Sequence, residues 1–238
     1  MIYQRLKSQT GFIALQMLPV ILIVMGLAFS FAFLGFAAQM KTQFRSTCTT
    51  ETIDLQKTII NYEKKLFWLN PASSALRKAL QIAEAAALVP ATAAQALQAI
   101  ESIKKAQDFL DKTQKTLIKA ANLHIQTKNI QLIYKLNKNA YDTNKNVSDL
   151  LRSFFIVHPT NSPSLAVQPD TDEIAPNYEL VDDYKDRQMV AYKWQLFFFT
   201  KADAQNILET RNSFQLECGA TADKDENTWS VEIKKDKS

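Results

Sequence analysis

Glycine is scarce in this chain: of 238 residues only Gly11, Gly26, Gly35 and Gly219 are glycine, and one of them lies beyond residue 40. A loop that cradles phosphate needs closely spaced glycines, so Walker-type and dinucleotide-type motifs are excluded. No G-x-S-x-G nucleophile elbow occurs. Histidine is scarcer still, with only His124 and His158. Neither belongs to an H-E-x-x-H pair, and both read as surface or boundary positions rather than metal ligands. The net charge of +4 contains no long Lys/Arg run that would track phosphates, so nucleic acid is not an expected partner. The acidic positions Asp170, Asp172 and Glu173, and the pair Asp182 and Asp183, lack the central glycine of a calcium loop and read as solvated. Asn146-Val147-Ser148 matches a glycosylation sequon, a triplet common by chance. The sequence therefore predicts no enzyme, no cofactor, no metal and no small-molecule substrate.

Charge is missing altogether from Ser8 to Met40. Within that interval residues 12–38 are almost wholly apolar, longer than the roughly 20 helical residues that cross a bilayer. The reading is a basic cytoplasmic leader over 1–11, carrying Arg5 and Lys7, then a single transmembrane helix over 12–38. The run exceeds the 7–15 residues or so of a signal-peptide core, so it is expected to be retained as an anchor. The short N-terminal flank favours an inside N-terminus, with the rest of the chain extracytoplasmic (periplasmic), at the inner membrane. In that setting Cys48 and Cys218 can pair; the alternative is two buried free thiols.

Residues 39–157 read as an extracytoplasmic helical region. Leu55, Ile59, Tyr62, Leu66 and Leu69 alternate steps of four and three, one face of a helix, and Cys48 and Thr52 extend that face backward. Asn70-Pro71 is expected to end this helix, and Ser73 or Ser74 to cap a second one from Ala75 to about Leu88. A third helix is expected from Ala91, with Ile100, Ile103, Ala106, Leu110, Leu117 and Ala121 inward. The pattern blurs over Lys128–Asn146, which predicts a turn there and a further short helix at Leu150, Leu151, Phe154 and Phe155. Short connections predict antiparallel packing.

Residues 158–176 hold four prolines among polar residues, a linker or an ordered loop. Over 177–238 the period becomes two. Val190, Tyr192, Trp194, Leu196 and Phe198 form one alternating set; Phe214, Leu216 and Cys218, then Trp229, Val231 and Ile233, form two more. Asp203–Arg211 suggests a short helix, Asp223–Asn227 a hairpin turn, and Tyr178–Val181 a fourth strand. The fold class expected is α+β: an N-terminal transmembrane helix, an antiparallel helical region and a small C-terminal antiparallel β-sheet with one apolar face against the helices. Cys48 and Cys218 both fall on inward faces.

The N-terminal segment QTGFIALQMLPVILIVMGLAFSF resembles that of tight-adherence (Flp-type) pilus proteins of the TadE/TadG kind, which are pseudopilin-like. Gly11, Ala14, Leu15, Pro19, Val20 and Gly26-Leu27-Ala28 carry the likeness, over about 30 residues. The resemblance implies a processing junction at Gly11-Phe12. It also implies a membrane helix that packs laterally with other membrane-embedded pilus or secretion subunits through Gln16, Pro19 and Gly26. Gln16 stands where prepilins carry an assembly glutamate, which points to a minor component rather than the main subunit. The alternative reading is a membrane-tethered binding or sensor domain unrelated to pili.

Overall fold

Sequences rich in alanine, leucine, lysine and glutamine favour helix, and most of residues 2–151 of the computed structural model is helical. The structure describes the chain apart from Met1, Arg152, 199–213, 226–227 and 234–238. Inside helices and strands the side chains of 2–16, 33, 36–37, 143–144, 146–151, 153–156, 195–198 and 214–216 also fall outside the description. In order the elements are α1 (Ile2–Phe67), α2 (Asn70–Ala87), α3 (Ala93–Leu151), β1 (Ser153–Pro159), β2 (Val167–Pro169), β3 (Tyr178–Leu180), α4 (Tyr184–Gln188), β4 (Val190–Phe198), β5 (Phe214–Asp225) and β6 (Thr228–Ile233). The chain divides into two compact units, Met1–Thr47 and Cys48–Ser238.

The first unit is helical, and two of its hydroxyl groups bond back to the helix backbone. Ser30 Oγ donates to the Gly26 carbonyl at 2.8 Å and Thr42 Oγ1 to the Ala38 carbonyl at 3.0 Å. The helix continues through Pro19. Among the described residues no helix is long and apolar enough to cross a membrane.

In the second unit α3 runs antiparallel to the last part of α1, as expected. Tyr62 meets His124 at 2.8 Å, Asp54 meets Lys128 at 3.0 Å, and Glu51 meets Lys135. Most of the expected inward face holds: Cys48, Thr52, Leu55, Ile59 and Leu66 are each 2% exposed or less, while Tyr62 and Leu69 are half-buried. α2 packs against α3. It starts at Asn70 with Pro71 in its first turn, not at Ala75, because proline is preorganised for the first turn and has no amide to satisfy. Ser73 is consequently inside the helix and caps nothing; its hydroxyl donates to the Ala175 carbonyl.

Two further expectations are corrected. No turn interrupts Lys128–Asn146, where α3 is continuous, and Phe154 and Phe155 belong to strand β1 rather than a short helix. β1 is a strand because it pairs antiparallel with β4, Val157 opposite Trp194. The main sheet has the order β1-β4-β5-β6, all antiparallel. The strand at Tyr178–Leu180 forms, but it pairs with β2 in a separate two-stranded sheet. Asp223–Asp225 continues β5 instead of turning, and the segment 203–211 lies outside the described residues. Of the expected linker 158–176, His158 and Pro159 end β1 and Val167–Pro169 form β2; the loop before β2 is held by Thr160 N–H to the Ala191 carbonyl at 2.9 Å and Leu165 N–H to Asn122 Oδ1 at 3.0 Å.

The sheet's covering is also more complete than the one apolar face expected. Val190, Ala191 and Tyr192 are all buried, as are Cys218, Gly219 and Ala220 opposite them and Thr221 and Ala222 next along β5, so both faces are covered at this crossing. Gly219 is required there: a Cβ would stand 2.9 Å from the Val190 carbonyl oxygen and 3.0 Å from Ala191 Cβ. Cys48 and Cys218 form a disulfide, with Cα atoms 6.2 Å apart, joining α1 to β5.

Candidate functional site

The residues singled out in the sequence separate into two groups. Gly11, Phe12 and Gln16 fall within α1, with their side chains outside the described residues. Pro19 is exposed, and a Cβ on Gly26 would meet nothing within 4 Å. Around them Met17, Leu18, Val20 to Met25, Leu27, Phe29, Phe31 and Leu34 are exposed to between 51% and 72%, apart from the intervening glycine and small residues. An open surface of this size, on the order of 1,000 Å² of apolar area, exceeds the ~300–600 Å² patch usual on a soluble monomer. Cys48 and Cys218 belong to the other group and meet in the bridge.

The second unit holds a site that hydropathy did not reveal. Glu63, Gln56 and Gln188 are fully buried and joined to one another. Gln56 Nε2 donates to the carbonyls of Gln188 and Ala220, at 2.5 and 2.9 Å. Gln188 Nε2 donates to Glu63 Oε1, which also accepts the Ala166 amide at 3.5 Å. Thus α1, the loop just before β2, the end of α4 and strand β5 converge on three polar side chains. Loss of water raises the Glu63 carboxyl from 4.5 to about 8, against the opposing pull of the Ala166 amide and the Lys224 charge. The atoms left unpaired are Gln56 Oε1, Gln188 Oε1 and Glu63 Oε2. All three are acceptors unless Glu63 keeps its proton, which converts one of them to a donor.

A related anchoring pattern secures the loop. Asn70 pairs twice with the backbone of Tyr178, at 2.8 and 2.9 Å, and Gln114 Nε2 donates to the Pro176 carbonyl at 3.0 Å. Asp170 accepts from Arg77 at 2.9 Å, from the Asn177 amide at 2.9 Å and from its side chain at 3.0 Å. Asp170 is therefore a structural clamp, while Asp172, Glu173, Asp182 and Asp183 are exposed. His124 and His158 are exposed too, His124 with Tyr62 edge-on at 5.7 Å. Among the described residues no group of three potential metal ligands occurs.

Glu63 has a weak signal in sequence: it lies four residues after Ile59, as compatible with the inward face as Tyr62. Its polarity disguised it. No protein-family profile matches this sequence, and comparison with curated proteins and with solved structures returned no match.

Proposed function

We propose that the protein is a minor, pseudopilin-like structural component of a tight-adherence pilus or related secretion machine. It is held in the inner membrane by residues 12–38, with the second unit outside the cytoplasm. The observation that carries this reading is the exposed apolar surface of α1 between Met17 and Leu34. A helix apolar on all sides needs a hydrocarbon environment or neighbouring helices. The disulfide agrees with an oxidising compartment. A long N-terminal helix combined with an antiparallel sheet agrees with the pilin-like outline that the N-terminal resemblance implies. The unit's buried groups supply rigidity rather than chemistry: the Glu63 cluster is enclosed and no nucleophile–base pair is associated with it.

The test has two parts. Carbonate washing of membranes should leave the full chain in the pellet; release into the wash would overturn the anchor. Mass spectrometry of the mature N-terminus should find a chain beginning at Phe12; one beginning at Met1 would remove the pseudopilin reading and leave a tethered binding domain.

A further inference from the structure

The third helix has more apolar surface than its own fold uses. Its inward stripe, including Leu110, Ala121, Ile125, Leu132, Leu136 and Ala140, is buried. On the opposite side Phe109, Leu123, Ile130, Tyr134 and Tyr141 are 66–74% exposed. Leu123 and Ile130 are seven residues apart, Phe109 is two sevens before Leu123, and Tyr134 and Tyr141 form a second line four residues beyond the first. Spacings of fourteen, seven, four and seven place all five on one stripe about 48 Å long, with Thr113, Thr116 and Ala120 at the same heptad positions between Phe109 and Leu123. A repeat of 3.5 residues keeps side chains aligned against a second helix, a register that a lipid surface or a loop does not require.

Charge identifies the kind of helix. From Lys112 to Tyr141 the sequence contains six lysines and no Asp or Glu. Lys115, Lys128 and Lys135 are held in ion pairs, with Asp111, Asp54 and Glu51. Lys112, Lys119 and Lys138 have no ion pair among the described residues. Each lies three or four residues from a seam residue and so flanks it. A second copy of the chain fits poorly: antiparallel pairing about Ile125 sets Lys112 against Lys138, and parallel pairing sets each lysine against itself.

We propose that the outward face of α3 is a docking surface for an acidic amphipathic α-helix of a partner protein, its apolar seam against Phe109–Tyr141 and its carboxylates against Lys112, Lys119 and Lys138. This surface lies wholly within the second unit and does not depend on the membrane reading.

The probe is a fluorescein-labelled four-heptad peptide with leucine at the seam and glutamate at both flanks, whose own charge keeps it monomeric. Its counterpart carries lysine at the flanks. Fluorescence anisotropy with the full chain in detergent solution should show the acidic peptide binding at least tenfold tighter than the basic one, and more weakly as salt rises. Lys112→Glu with Lys119→Glu, and separately Ile130→Ser with Tyr134→Ser, should each weaken it tenfold or more; Lys57→Glu, on another helix, should not. Circular dichroism confirms that the variants fold. Equal binding of the two peptides, or parent-like binding by the seam and lysine variants, would overturn the proposal. So would sedimentation showing self-association that Ile130→Ser abolishes, since the face would then belong to a second copy.

Discussion

In the first unit α1 exposes Leu22, Ile23 and Phe31; in the second the same helix buries Thr52, Gln56 and Glu63 completely. Burial here follows the availability of a partner more than side-chain polarity. The second stretch has a sheet and a loop whose backbone carbonyls and amides accept and donate to its polar groups. The first has no such surface within its own unit. A polar group can be buried where hydrogen bonds replace those to water, and an apolar group can stay exposed where the surrounding medium is not water.

The largest test of this contrast is the bridge at the start of the second stretch. Cys48→Ser should cost about 5 kcal/mol in the chain-entropy treatment of a loop of this length, read as a fall in the urea midpoint of the second unit. Carbonate-resistant membrane association should be unchanged; loss of both together would erase the distinction between the stretches.

Glu63 sharpens the contrast by pH. Its folded value of about 8 lies above the ordinary 4.5. Between those values the folded state retains a proton that the unfolded chain has released. Unfolding free energy therefore falls by about 1.4 kcal/mol per pH unit as pH rises, then levels off above 8. Glu63→Gln should flatten this profile and be more stable by on the order of 4 kcal/mol at pH 8. Thermal melts from pH 5 to 9 measure it, and a parent protein with a level profile would contradict a protonated buried Glu63.

Smaller effects locate the boundary of the buried region. Gly219→Ala drives a methyl group into the β4 backbone and should cost about 1–3 kcal/mol, seen in the denaturant midpoint. Glu101→Gln breaks an exposed pair with Lys105, 2.7 Å long, and should change stability by less than about 0.5 kcal/mol. A large effect there would mean that exposure misjudges what holds α3.

The sequence made the inward face of α1 legible from Cys48 to Leu66 because it buries one dominant stripe, and the β4 and β5 strands from their alternation, although both faces are covered where they cross. It concealed the continuity of α3. Ile125, Leu132 and Leu136 point inward while Leu123, Ile130 and Tyr134 point outward, so the two stripes cancel in any measure of amphipathicity. β1 was misread because Leu150, Leu151, Phe154 and Phe155 imitate helical spacing; only pairing with β4 decides the matter. The Glu63 cluster depends on four hydrogen bonds, each between residues more than 100 positions apart. Local periodicity carries no record of them.

The bridge also imposes an order on biosynthesis. Cys48 is made first and its partner comes 170 residues later. Until Cys218 is made, the earlier cysteine has no native partner, and a chain that stops between Cys48 and Cys218 carries a free thiol. Closure of the disulfide thus distinguishes chains made at least through Cys218 from those that stop between the two cysteines, by the loss of the free thiol at Cys48.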